Sequence, residues 1–197
     1  EGRIPMARRK VIFLPGHYYH VYNRGVNRER IFRSEDNYLF LLRRVKTCAV
    51  EFSITVIAYC LMPNHYHFLL RQEGEHTISN FMQAVFNSYT KAFNKAVDRQ
   101  GTLFEGPFQA AYVDDDAYLI HLCRYIHRNP LEAGLVSEPG QWPYSNYLEW
   151  VGRRNGSLVD REFVRAHFPR PGEYEQFVLD YTPPQDIADA IRNLALE

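Results

Sequence analysis

Two apolar stretches, residues 52–61 and 65–71, lie back to back in the middle of the chain with only Met62-Pro63-Asn64 between them. So short a connection makes the two segments antiparallel neighbours, and Pro63-Asn64 supplies the turn chemistry. Everything else has to be arranged around this hairpin. Residues 18–24 alternate well enough for an earlier strand. A basic loop follows, then a helix over 35–49 with Tyr38, Leu39, Leu42 and Val45 on one face. After Gly74 comes a long helix capped by Thr77, whose stripe of Phe81, Met82, Val85, Phe86, Tyr89 and Phe93 is placed to cover the sheet. Residues 108–113 read as a fourth strand. Asp114-Asp115-Asp116 then offers an N-cap and first-turn charge for another helix, which Pro130 is expected to end.

The order strand, helix, strand, strand, helix, strand predicts an α+β fold. Its expected form is a ferredoxin-like (RRM-like) antiparallel sheet with helices on one face and one further helix. The 197 residues, 46% of them hydrophobic, suit one compact domain with an appended segment. The expected division is a tail over 1–10, a main domain over 11–150 and a helical C-terminal extension over 151–197. In the tail, the residues before Met6 read as a cloning remnant. In the extension, Asp160 can cap a short helix through His167, and Tyr174, Phe177, Val178 and Tyr181 suggest a second. A last helix is expected over 186–196, and the acidic extension is expected to pack on the main domain or mask its groove.

No apolar run approaches the ~18 residues of a membrane span, and no secretory signal is legible. Cys48, Cys60 and Cys123 lack disulfide-framework density and CxxC spacing, so three reduced, buried thiols and a cytoplasmic location are expected. The net charge is zero, but residues 1–46 carry eleven Lys/Arg against four Asp/Glu, a net of +7 balanced by −7 elsewhere. Arg24, Arg28, Arg30 and Arg33 therefore give one side a positive field suited to nucleic acid. Arg24-Gly25 ends a strand at a glycine turn where a phosphate can approach the backbone.

On the third strand, His65 and His67 point to one face, with Cα atoms roughly 7 Å apart, close enough to share a divalent ion. Alone, such a pair is more often cross-strand packing or a surface pair than a metal site. The last helix of the main domain adds a second signal. Leu119, Leu122, Cys123 and Ile126 make its buried stripe. Tyr125 falls about 110° and Asn129 about 70° from the stripe's centre, to the same side and one turn apart. Tyr89 is a rival nucleophile by polarity of its neighbours, but its place on the long stripe makes it a core residue.

Leu61-Met62-Pro63-Asn64-His65-Tyr66-His67 followed by Tyr125-Ile126-His127-Arg128-Asn129-Pro130 resembles the REP-associated tyrosine transposases. These belong to the single-tyrosine group of HUH (histidine, hydrophobic, histidine) endonucleases. His20-Val21-Tyr22-Asn23-Arg24-Gly25, the 101–108 stretch and Trp142-Pro143-Tyr144-Ser145 strengthen the likeness, which spans residues 16–150. The resemblance implies His65 and His67 as metal ligands, Asn129 as a third ligand and Tyr125 as the nucleophile. It implies Mg²⁺ or Mn²⁺ as cofactor, and as substrate single-stranded DNA in the form of a REP hairpin with a flanking tetranucleotide. Monomer or homodimer stays open. Where relatives show Glu-Gly-Arg-Phe-Lys, this chain has Glu105-Gly106-Pro107-Phe108-Gln109, without two basic residues.

The chemistry is coherent. A phosphodiester is an anionic, poor electrophile, and a cation offsets charge in the transition state. Tyrosine, with a solution pKa of about 10, must lose its proton during attack, and His121, one turn earlier, is a candidate acceptor. Two alternatives stand beside this reading. One is a non-catalytic nucleic-acid-binding module in which Tyr18, Tyr22 and Tyr66 stack on bases. The other is a hydrolytic zinc site, for which a third His or a nearby Glu is missing from the motif.

Overall fold

The structure, a computed structural model, describes residues 11–192. The expected tail over 1–10 and the end of the expected last helix lie outside the described residues. Strands β1 (Tyr18–Arg24), β2 (Ile54–Leu61), β3 (His65–Gln72) and β4 (Gln109–Val113) form one sheet in the order β2-β3-β1-β4. Every pairing is antiparallel, as expected of a ferredoxin-like sheet. Alternation decides the two faces. Tyr19 and Val21 of β1 and Tyr66, Phe68 and Leu70 of β3 enter one core, while His20, Tyr22, His65, His67 and Leu69 face the other way.

Helices α1 (Glu35–Glu51) and α2 (Ile78–Ala96) cover the first face. Thr77 caps α2 through a capping box with Asn80. The α2 stripe packs as its periodicity predicts, and Tyr89 is buried with its hydroxyl donating to the Ile31 carbonyl. The α1 stripe is rotated from the expectation. Tyr38, Leu41, Val45 and Cys48 are buried at helical spacing, which leaves Leu39 at the exposed edge. Tyr66 stacks on Phe86 at 4.3 Å inside this core, so it has no surface to offer a base.

Helix α3 (Asp116–Glu132) covers the second face, with Leu119, Leu122, Cys123 and Ile126 against Ile57, Ala58, Cys60 and Leu69. Asp115 caps it, its carboxylate accepting from the Tyr118 amide at 2.6 Å. Pro130 does not end this helix. The proline has no N–H for the bond to Ile126 O, yet the helix runs on to Glu132 and a glycine stop. Gly134, at φ +67°, donates to Leu131 O while Leu135 donates to Pro130 O, the paired bonds of a Schellman motif. Asn129 therefore lies inside the helix and its side chain is free of capping duty.

The chain then covers the outer edge of β2, where Leu61 donates to Tyr144 O and Trp142 Nε1 donates to Leu61 O. Short helices α4 (Tyr147–Trp150), α5 (Arg161–His167), α6 (Glu173–Leu179) and α7 (Gln185–Arg192) complete the second core. Trp150, Phe163, Tyr174, Val178, Ile187 and Ile191 all pack into it. Two arginines of α3 lock the extension. Arg124 donates to Phe177 O and Asp180 O and lies over the Phe177 and Tyr181 rings, and Arg128 donates to Val178 O. Cationic donors at the C-terminal carbonyls of α6 also suit that helix's dipole. The three cysteines are free and buried. Among the described residues no helix is long and apolar enough to cross a membrane.

Candidate active site

The site lies between β3 and α3. His65 and His67 project from alternate positions of β3 with ring centroids 5.2 Å apart and planes at 83°. Asn64, in the hairpin turn, places Oδ1 2.8 Å from His65 Nδ1. A carbonyl oxygen accepts, so with a cation on Nε2 the His65 hydrogen sits on Nδ1 toward Asn64 and Nε2 presents its lone pair. That Nε2 lies 3.0 Å from Asn129 Oδ1, one residue before the proline of α3. Neighbouring ligands on an octahedron with bonds of about 2.1 Å are about 3.0 Å apart, so this pair is spaced as cis ligands of a small divalent ion.

His67 is wholly buried, and its Nε2 has no hydrogen-bond partner. A buried ring nitrogen left unpaired, on a ring 5.2 Å from that of His65, is suited to a cation. Burial lowers the His65 pKa to about 4, with Arg24 adding to the shift and the Asn129 bond opposing it. Burial, then the neighbouring His20 and His65, hold His67 well below the ordinary value. Both rings are thus neutral near pH 7, the form that ligates a metal. Two imidazoles and an amide oxygen leave coordination positions open, which suits Mg²⁺ or Mn²⁺ shared with a phosphate. Among the described residues no group of three His, Cys, Asp or Glu is placed to hold a metal, and the group facing His65 Nε2 is the Asn129 amide oxygen.

Tyr125 is brought to the same place. Its ring stands 5.4 Å from that of His67, edge-on at 75°, and the residue is 9% exposed. The helical spacing that placed Tyr125 and Asn129 on one side of α3 is realised, with both turned toward the histidines. His121 is engaged elsewhere. Its Nδ1 lies 2.6 Å from Arg124 Nη2 and its ring 5.2 Å from Phe177; burial and the Arg124 charge lower its pKa.

The basic stretch beyond β1 surrounds the hairpin turn. Arg24 makes two bonds to the Glu105 carboxylate, at 3.1 and 3.0 Å. Gly25 donates its amide to Asn64 O at 2.8 Å, and a Cβ there would meet Glu29 O at 2.2 Å. The glycine is required by this close approach, which buttresses the residue orienting His65. Arg28, Arg30 and Arg33 are exposed, and Arg33 lies over the Phe93 ring.

One residue of the site is missed by the sequence alone. His20 reads as an isolated strand histidine without a partner at ligand spacing, yet it is fully buried with Nε2 3.0 Å from His67 Nδ1. Alternation along β1 places it on the histidine face, but the β1–β3 register that brings it to His67 is a tertiary fact. His127, on α3, also has buried partners, Tyr174 and Asn146, which join α3 to α6 and β2.

With this geometry in hand, comparison with known proteins is decisive at one point: a model of the IS200-like transposases matches residues 14–129, from before β1 through Asn129. The chain belongs to the IS200-like transposase family. It is 23% identical over 112 residues to a Haemophilus influenzae protein provisionally named a REP-associated tyrosine transposase. That match takes in 52% of this chain and 63% of the relative's length. The fold is that of a solved REP-associated tyrosine transposase bound to a REP hairpin, with a TM-score of 0.62 at 19% identity, over 79% of this chain and 94% of that one. The IS200-like match ends at the asparagine facing His65, so it contains every residue of the site described above.

Proposed function

We propose that this transposase-family chain is a metal-dependent endonuclease and strand transferase acting on single-stranded DNA through a 5′-phosphotyrosine intermediate. The observation that carries the reading is the convergence of Tyr125, His67, His65 and Asn129 between one strand and one helix. The solved relative is bound to a REP hairpin, and we take a REP-like hairpin with a short flanking tetranucleotide as the substrate class.

His65, His67 and Asn129 would hold one Mg²⁺ or Mn²⁺. When bound, such an ion offsets the charge that grows on the phosphate during in-line displacement. Tyr125 Oη attacks the phosphorus, and a bond from Oη to phosphorus forms as the bond from phosphorus to the 3′ oxygen breaks. The 3′ oxygen takes up a proton and leaves as a free hydroxyl, and the tyrosine proton passes to solvent. His121 is the other candidate acceptor, but its Nδ1 is held by Arg124. Attack of a 3′-hydroxyl on the phosphotyrosine reverses these bonds and rejoins DNA without ATP. The exposed Arg28, Arg30 and Arg33 and the partly buried Arg24 line the approach for backbone phosphates, with Gly25 shaping their loop.

An end-labelled single-stranded hairpin incubated with the protein tests this. In Mn²⁺ a shortened strand and a protein-linked strand are expected on a denaturing gel, and neither in EDTA. Cutting that survives EDTA, or cutting without a covalent adduct, contradicts the reading.

A further inference from the structure

We propose that His20 is the positioning residue for His67, holding its hydrogen on Nδ1 so that Nε2 presents a lone pair to the cation. This rests on the metal-site reading above and assigns a role to a side chain outside the ligand set.

The His20 and His67 rings are 5.2 Å apart and within 13° of parallel, and both residues are fully buried. Their contact, His20 Nε2 to His67 Nδ1 at 3.0 Å, has room for one hydrogen between two neutral imidazoles. Two arrangements satisfy it. If His20 donates, His67 carries its hydrogen on Nε2, and that nitrogen cannot ligate a metal. If His67 donates, its Nε2 lone pair is exposed to the site and His20 carries its hydrogen on Nδ1. Either way His67 Nε2 and His20 Nδ1 have no hydrogen-bond partner, so the protein alone does not choose between the two. A cation beside His65 Nε2 and Asn129 Oδ1 chooses the second.

His20 is held in place as the partner of His67 Nδ1, and with a cation on His67 Nε2 it can only accept. It stands on the central strand β1 and stacks on Tyr22 at 4.8 Å, so its ring cannot swing away when the site is loaded. His65 has its own acceptor in Asn64 Oδ1 at 2.8 Å. Each histidine of the pair is thus oriented by a different group, one from the hairpin turn and one from the neighbouring strand. Outer partners of this kind set both the tautomer and the basicity of a ligating imidazole.

The test reads tautomer and metal affinity, neither of which a merely structural residue would control. Two-bond ¹H–¹⁵N spectra of the full chain with Mg²⁺ should show the His67 hydrogen on Nδ1; finding it on Nε2 overturns the proposal. By calorimetry, His20→Phe, which keeps a ring but has no acceptor, should weaken Mn²⁺ binding about 10- to 100-fold. His20→Gln, which returns a carbonyl oxygen, should recover most of that loss. If His20→Phe does not fold, His20→Gln decides: near-native Mn²⁺ affinity supports the role, and a loss as large as that of His67→Ala overturns it. His67→Ala is also the control for the site itself. If it abolishes Mn²⁺ binding while His20→Phe leaves it unchanged, this inference alone fails; if it leaves binding unchanged, the metal-site reading fails with it.

Discussion

The Tyr125 and His67 rings meet in a T-shaped pair with centroids 5.4 Å apart. Helix α3, which carries the tyrosine, is held on its own sheet by an apolar stripe. On its outer side it is held by Arg124 and Arg128, which grip the carbonyls of α6. The candidate nucleophile and candidate ligands therefore meet on one chain.

Removing the Tyr125 hydroxyl should separate chemistry from folding. Tyr125→Phe keeps the ring against His67, so unfolding in urea should shift by no more than about 1 kcal/mol. Hairpin binding should persist, and strand cleavage should fall to background on a labelled substrate.

Asn129 is expected to matter twice. Asn129→Ala takes a donor from the cation and a partner from His65 Nε2, both in a buried setting. Mn²⁺ titration should show weakened binding, and denaturant unfolding should show a stability loss of about 1–2 kcal/mol.

The C-terminal extension should prove to be a packing element. Truncation after residue 152 would expose the second core where Phe163, Tyr174 and Val178 now cover it. The truncated protein is expected to lose cooperative unfolding and to aggregate. A folded truncation that cleaves faster would instead assign the extension a masking role.

Stability should also depend on pH through His127. Burial lowers its pKa from 6.5 to about 4, against an unfolded value near the ordinary one. The neutral ring is favoured in the folded state, so its contribution is complete above pH 6.5 and is lost as pH falls toward 4. The loss is on the order of 3 kcal/mol. Unfolding midpoints measured from pH 8 to 4 should fall across that window, and His127→Gln should flatten the fall.

Much of this molecule is legible from local patterns, because alternation and helical spacing are properties of short segments. The hairpin around Pro63-Asn64, the α2 stripe and the shared side of Tyr125 and Asn129 are of this kind. What escapes the sequence depends on contacts between distant segments. The partnership of His20 with His67 needs the register of β1 on β3, and the grip of Arg124 on α6 needs the extension folded back on α3. Pro130 is a different case: the helix continues through it to Glu132 and stops at the Schellman turn of Gly134, a stop that rests on the left-handed backbone there.

The most direct test of the central claim is the chemical identity of the protein–DNA link. Protein trapped on a single-stranded hairpin in Mn²⁺, digested with nuclease and protease, should yield one peptide carrying a nucleotide phosphate, with the phosphate on Tyr125. A phosphate on any other residue, or a Tyr125→Phe protein that still forms the link, would contradict the account.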